Sequence, residues 1–212
     1  MFKIKLSLAP IVLIICTLGF GAISLFVQDN EIRHFDQVIA SWIQHWETPA
    51  LTVFMKFFTT IGGGLPLILV IITAMAVLYT VLGHRRELVF LAGVMLGSTV
   101  LNWALKTLFH RARPVIHRII EAEGYSFPSG HSMAAFSFYG ALAFLIWRHV
   151  PTSLGRSLMI VLSTLFILAI GISRIYLGVH YPSDVLGGYF VSGCWLTASI
   201  LWYKKNVLDR TP

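Results

Sequence analysis

Three segments of this 212-residue chain carry side chains whose types and spacing suit chemistry on an anion. The first is Lys106-Thr-Leu-Phe-His-Arg-Ala-Arg113-Pro114, the second is Pro128-Ser129-Gly130-His131, and the third runs from Ser173-Arg174 through His180 to Asp184. His180 and Asp184 stand four apart, so in a helix they share a face. A carboxylate holding one imidazole nitrogen fixes the tautomer and leaves the other nitrogen to attack, which is what a histidine nucleophile requires. Lys106, Arg113 and Arg174 supply fixed positive charge of the kind a five-coordinate phosphoryl group needs on its equatorial oxygens. Ser129, Gly130 and His131 sit where a loop enters an apolar run. A helix N-terminus there offers unpaired N–H groups; Gly130 permits close backbone approach, and Ser129 adds a hydroxyl or caps the helix. His131 is the candidate proton donor to a leaving alkoxide and the later activator of water.

Each motif alone has a plainer reading. An isolated His-x3-Asp is more often a hydrogen-bonded pair at a helix end, Lys106 and Arg113 suit snorkelling cations, and Ser-Gly-His suits a helix cap. Taken together and in this order, the three resemble the type 2 phosphatidic acid phosphatase family, whose pattern is K-x6-RP, PSGH and SR-x5-H-x3-D; all are matched between Lys106 and Asp184. The resemblance implies His180 as nucleophile, His131 as acid and Asp184 as its support. Lys106, Arg113, Ser129, Gly130 and Arg174 are then the phosphate-binding residues. It also implies metal-independent hydrolysis without a cofactor, which agrees with motifs offering a single carboxylate where magnesium sites use several oxygen ligands. The implied substrates are phosphatidylglycerophosphate, phosphatidic acid or undecaprenyl diphosphate. Arg111 and Arg118 fall outside the pattern and read as snorkelling cations. His34, His45, His84, His110, His117 and His149 match no motif position, although His110 and His117 bracket Arg113. Glu121 and Glu123 suit either a site entrance or an exposed loop face.

The elements that must position these groups are apolar. The chain is 57% hydrophobic and 12% charged, with mean hydropathy +0.78, against roughly 25% charged in an ordinary soluble domain. The expected fold is therefore an all-α integral membrane bundle, one domain over residues 1–212. Net charge +7 comes without any basic run longer than a pair, so it fits membrane-flanking loops and anionic headgroups rather than nucleic acid. No obligate protein partner is evident. Cys16 and Cys194 lie in apolar stretches and read as small buried hydrophobes.

Runs long enough to cross ~30 Å of hydrocarbon are Leu6–Val27, Ile61–Leu82, Leu88–Leu105 and Val185–Tyr203. The first exceeds a signal-peptide core and reads as a retained helix. Pro128–Trp147 and Ser157–Tyr176 reach spanning length only by running into their motifs, giving about six spans. Between the first two, Phe35, Val38, Ile39, Trp42, Ile43 and Trp46 recur at helical spacing, with Asp36, Gln37, Gln44 and His45 opposite. This predicts an amphipathic helix on the membrane surface. Gly62-Gly63-Gly64 lacks the Lys-Ser/Thr ending of a nucleotide loop and reads as a helix-entry turn or a close-packing point.

With six spans, both termini share one side. That side holds Lys3, Lys5, Arg85, Arg86, Arg148, Arg156, Lys204, Lys205 and Arg210, against Arg33, Lys56, Lys106, Arg111, Arg113, Arg118 and Arg174 on the other. Setting aside the three motif cations, the positive-inside tendency places the termini in the cytoplasm and the motifs at the outer boundary of the inner membrane. Rival classes are the vanadium haloperoxidases, disfavoured by hydropathy because those are soluble, a lipid-phosphate binding or transport protein, and a lipid phosphotransferase using the same residues.

Overall fold

The computed structural model describes residues 8–29, 31–83, 85–115 and 117–208. Eight α-helices follow in order: α1 Leu8–Gln28, α2 Arg33–Gln44, α3 Pro49–Ile61, α4 Gly64–Leu82, α5 Arg85–Phe109, α6 Gly130–Ile146, α7 Ser153–Tyr176 and α8 Pro182–Tyr203. Lys3, Lys5, Leu6, His84 and Arg210, named above, lie outside the described residues.

Helices α1, α5, α6, α7 and α8 are each long and apolar enough to cross a membrane; α3 and α4 reach that length and apolarity only together, as a pair bent by 59°. The protein is a multi-pass membrane bundle, as its composition predicts. The expected second span, Ile61–Leu82, is corrected in one respect. It is the second arm of this bent pair, preceded by α3 where the sequence predicts only a connecting segment. A signal for α3 is present in Thr48-Pro49: Thr48 Oγ1 caps the helix by accepting from the Leu51 N–H at 3.2 Å, and Pro49 fills the first turn. The break falls on the glycine triplet. Gly62 ends α3, Gly63 precedes α4, and Gly64 has φ +59°, which favours glycine.

Helix α6 is the axis, with α5, α7 and α8 packed around it. Its small residues permit close approach: a Cβ on Gly140 would lie 2.5 Å from Leu196. Phe90, Leu91, Val94, Phe138, Ala141, Leu145, Leu196 and Tyr203 form the main core at the end away from the motifs. Polar pairs cross between spans, Ser137 Oγ to Ser98 Oγ at 3.1 Å and Trp195 Nε1 to the Val94 carbonyl at 2.9 Å. Helix α1 lies along α8 with most of its side chains exposed. There Cys16 and Cys194 are free and half-buried, so the buried reading holds only in part.

A second core of Tyr176, Leu177 and Val179 packs against Ile43 of α2, Leu51 and Met55 of α3, and Ile119, Ile120 and Ala122 of the long α5–α6 connection. This cluster seats α2, α3 and that connection over the end of the bundle where the three motifs meet.

Helix α2 has the predicted period but three faces instead of two. Phe35, Val38, Trp42 and Trp46 are exposed, as a helix at a lipid surface requires. Gln37, Ser41 and His45 form an exposed polar face. Asp36, expected on the solvated face, is 1% exposed and turns into the protein beside Ile43. An aliphatic and aromatic stripe reports which side of a helix is apolar, not whether a neighbouring carboxylate finds a buried cation.

Candidate active site at one end of the bundle

The C-terminal ends of α5 and α7 and the N-terminal ends of α6 and α8 lie together, and every motif residue sits on one of these ends or on the connections between them. The His180–Asp184 pair is not the expected helical i, i+4 pair. Helix α8 begins at Pro182, so Asp184 belongs to its first turn while His180 lies in the tight connection from Leu177. The two still meet, with Nδ1 of His180 3.3 Å from Oδ2 of Asp184. The connection is held by Val179 and His180 N–H groups, both bonded to the Arg174 carbonyl, at 3.1 and 3.2 Å.

Nε2 of His180 faces Arg113 Nη1 at 3.0 Å. A guanidinium only donates, so Nε2 is the acceptor and Nδ1 carries the proton toward Asp184. Burial pushes the His180 imidazole down to about 4; Asp184 opposes this, while Arg174 and Arg113 reinforce it. At neutral pH the ring is therefore uncharged, with its Nε2 lone pair directed at the cations.

Asp184, 0% exposed, is held on both oxygens. Oδ2 accepts from the Tyr181 N–H at 2.8 Å and from the Ser126 hydroxyl, and Oδ1 accepts from Arg111 Nη1 at 2.6 Å. Arg111 is thus a buried bridge and not a snorkelling cation. Its Nη2 donates to Asp36 at 2.7 Å, and its ring neighbour Tyr181 lies 4.2 Å away, centroid to guanidinium carbon. Burial acts to lower the Arg111 pKa, but the two carboxylates outweigh it and hold the group above its ordinary value.

Asp184 takes its ion pair from Arg111, and among the described residues none of the three motif cations makes a salt bridge of its own. Their hydrogen bonds go to neutral acceptors. Lys106 Nζ donates to the Tyr125 carbonyl at 2.8 Å. Arg113 donates to the Glu123, Gly124 and Val179 carbonyls at 2.9 to 3.2 Å. Arg174, 5% exposed, donates through Nη1 to the Thr59 hydroxyl of α3, while its buried Nε has no partner among the described residues. Buried donors are normally satisfied, so this guanidinium N–H is a donor left over for a group that the protein itself does not supply among the described residues.

His131 occupies the first turn of α6 and lies within the electrostatic reach of Arg174, Lys106, Arg113 and His180. Ser129 is the N-cap, accepting from the Ser132 N–H at 3.4 Å and from its hydroxyl at 2.9 Å. Its capping role is thus the one realised in the structure. Gly130 does permit a close approach, but to Asn102: a Cβ there would sit 2.9 Å from Oδ1. Asn102 in turn donates to the Pro128 carbonyl at 3.0 Å, fixing the entry to α6.

The glycine triplet is a close-packing point, and what it approaches is the site. A Cβ on Gly63 would strike the His131 ring, its Nε2 nearest. Gly63 has extended backbone (φ −160°), so the requirement is one of space and not of conformation. Gly63→Ala is expected to lower kcat by roughly 10²-fold through displacement of His131. Steady-state kinetics on the purified variant check this, and wild-type kcat would show that the ring tolerates the methyl group.

Away from the motifs, His34, His45 and His149 are exposed. His110 is exposed with its ring 4.4 Å from Tyr125, and His117 pairs with Glu47. Glu121 and Glu123 are exposed; it is the Glu123 carbonyl, not its carboxylate, that meets Arg113. Arg118 donates to the Pro114 carbonyl. Among the described residues, no three His, Cys, Asp or Glu side chains converge as a metal site would require.

The model of the PAP2 superfamily matches residues 87–208, from the start of α5 to the end of the bundle. The chain belongs to the PAP2 superfamily. It is 31% identical over 178 residues to phosphatidylglycerophosphatase B of Bacillus subtilis strain 168, covering 81% of this chain and 85% of that one. It is also 31% identical over 133 residues to the undecaprenyl-diphosphatase BcrC of the same organism, covering 60% and 62%. A crystal structure of a transmembrane PAP2-type phosphatidylglycerolphosphate phosphatase from B. subtilis superposes with TM-score 0.84 at 26% identity, over 93% of this chain and 98% of that one. The matched PAP2 region contains all three motifs. Asp36, Thr59 and Gly63 lie before it, on α2, on α3 and at the break between α3 and α4; the sequence places Asp36 on a polar helix face and Gly63 at a turn or close-packing point, and gives none of the three a role in the site.

Proposed function

We propose that this PAP2 phosphatase hydrolyses the phosphate monoester of a membrane glycerophospholipid, phosphatidylglycerophosphate or phosphatidic acid, through a phosphohistidine on His180. The observation that carries the reading is the His180 ring. It is buried, which pushes it toward the neutral form, with Nδ1 on Asp184 and Nε2 on Arg113, one of three motif cations that make no salt bridge among the described residues.

In the first step Nε2 attacks phosphorus and the P–O bond to the lipid breaks. His131 gives its proton to the departing alkoxide. Lys106, Arg113 and Arg174 hold the equatorial oxygens, with the unpaired Nε of Arg174 supplying one donor. In the second step His131 takes a proton from water, the resulting hydroxide attacks phosphorus, and the P–N bond breaks to return the lone pair to His180. Asp184 keeps the Nδ1 proton throughout and steadies the positive charge that forms on the ring. The cations do the charge stabilisation that a metal ion supplies elsewhere, and no metal enters the cycle.

The monoester preference follows the likeness to phosphatidylglycerophosphatase B, which extends over most of both chains. The shorter likeness to an undecaprenyl-diphosphatase supports undecaprenyl diphosphate as the second reading. A phosphate-release panel with purified protein, each lipid in turn and excess EDTA, tests both. Release from phosphatidylglycerophosphate or phosphatidic acid that survives EDTA and is inhibited by vanadate is expected. Activity lost in EDTA and restored by magnesium contradicts the mechanism, and turnover confined to the diphosphate transfers the substrate to the second reading.

We further propose that the protein lies in the inner membrane, with both termini cytoplasmic and the site opening outward at headgroup level. Single cysteines at Glu123 and Ser153, in a variant lacking Cys16 and Cys194, test it. An impermeant thiol reagent on intact cells is expected to label the first and spare the second, and the reverse pattern inverts the topology.

A further inference from the structure

The Asp36–Arg111 pair belongs to none of the motifs, yet it ends on the carboxylate that orients His180. Arg111 spans two buried carboxylates. Nη2 meets Asp36 Oδ2 at 2.7 Å, and Nη1 meets Asp184 Oδ1 at 2.6 Å and Ser183 Oγ at 2.7 Å. Asp36 also accepts from the Ser183 backbone N–H at 2.9 Å and from its hydroxyl at 2.7 Å. The Ser183 N–H is one of the donors that the start of α8 leaves without an intrahelical partner. A side chain of α2 therefore both caps α8 and fixes the guanidinium lying against Asp184.

The consequence for His180 is geometric. Oδ2 of Asp184 is shared among the His180 Nδ1, Ser126 and Tyr181 donors, so rotation of the carboxylate would break the Nδ1 contact. Arg111 is the side chain that holds Oδ1 and with it the plane of the group. Arg111 is itself fixed by Asp36 on its other edge and by the Tyr181 ring beneath it. Asp36 and Asp184 are 1% and 0% exposed and the Arg111 side chain 13%, so neither bond competes freely with water.

We propose that Asp36, acting through Arg111, is a positioning residue for the Asp184–His180 pair, which makes the surface helix α2 a working part of the catalytic centre. The inference rests on His180 being the nucleophile. A merely structural ion pair would seat α2 and no more; a positioning pair must act through Asp184, and that difference is measurable.

The experiment uses the full chain purified in detergent, with phosphatidic acid in mixed micelles as the probe. It compares wild type, Asp36→Asn, Asp184→Asn and the double variant, each checked for folding by size exclusion and thermal melting. Asp36→Asn is expected to lower kcat by roughly ten- to a hundred-fold, the scale of losing a partner that orients a reacting group's ligand, with little change in KM. In the Asp184→Asn background the same substitution is expected to cost nothing further, because the group it positions is already gone. Wild-type kcat in Asp36→Asn, or losses that multiply in the double variant, overturns the proposal. If Asp36→Asn does not fold, Arg111→Lys serves with the same criteria, since a point charge cannot bridge two carboxylates as a planar fork does. His180→Ala runs alongside. Activity in that variant overturns the nucleophile itself, whereas an inactive His180→Ala with an unaffected Asp36→Asn overturns only the role given to α2.

Discussion

Replacing His180 with alanine is expected to lower phosphate release by about 10⁶-fold, as removal of a nucleophile does in other covalent hydrolases, leaving only the residual rate that binding and the cations supply. Asp184→Asn is expected to retain slow but measurable turnover, down by about 10³–10⁴-fold, because the carboxylate orients the ring without forming a bond to phosphorus. Radiometric phosphate release on purified variants resolves the two. Turnover by His180→Ala comparable to wild type would remove the covalent step from the mechanism. The asymmetry follows from the geometry: Asp184 reaches Nδ1, while Nε2 is the nitrogen that faces the cations.

Arg174→Lys is expected to cost roughly 10²–10³-fold in kcat, the scale set by losing a preorganised donor to a developing oxyanion. The charge survives this substitution, so the loss measures geometry. Arg174 is fixed from α3 through Thr59 while its Nε stays unpaired, and a lysine ammonium cannot occupy both places. Steady-state kinetics with phosphatidic acid check it. Full activity in Arg174→Lys would mean that the site needs charge at this position and not a fork.

The parts of this centre that depend on local spacing were legible in the sequence. Apolar runs located the five simple spans, and the three motifs named Lys106, Arg113, Ser129, Gly130, His131, Arg174, His180 and Asp184, which the fold gathers at one end of the bundle. What depends on contacts between distant segments was not legible. Arg111 looks like a surface cation because its two carboxylates lie about seventy residues away on either side in sequence. Asp36 sits beside an apolar stripe that says nothing about a buried ion pair, and Gly63 shows its purpose only once His131 is packed against it. Two errors had local remedies. Thr48-Pro49 is a helix-start signal that announces α3, and Pro182 marks the first turn of α8, which leaves His180 outside the helix.

The split between these two sets has a physical pattern. The motif residues supply charge and bond-making groups, and short-range chain geometry fixes their spacing. The elements ahead of the matched region supply shape and restraint: a hydroxyl for Arg174, room for His131, and an anchor for Arg111. A bundle reduced to α5–α8 would keep the reacting groups and lose what holds three of these residues in position.

The most direct measurement of the central claim is the chemistry of the enzyme-bound phosphate. Wild-type protein mixed briefly with radiolabelled phosphatidic acid and quenched in base should carry label that is stable in alkali, lost in acid, and located on the peptide containing His180, with none in His180→Ala. Label that survives acid, or that persists in His180→Ala at the wild-type level, would contradict a phosphohistidine at this position.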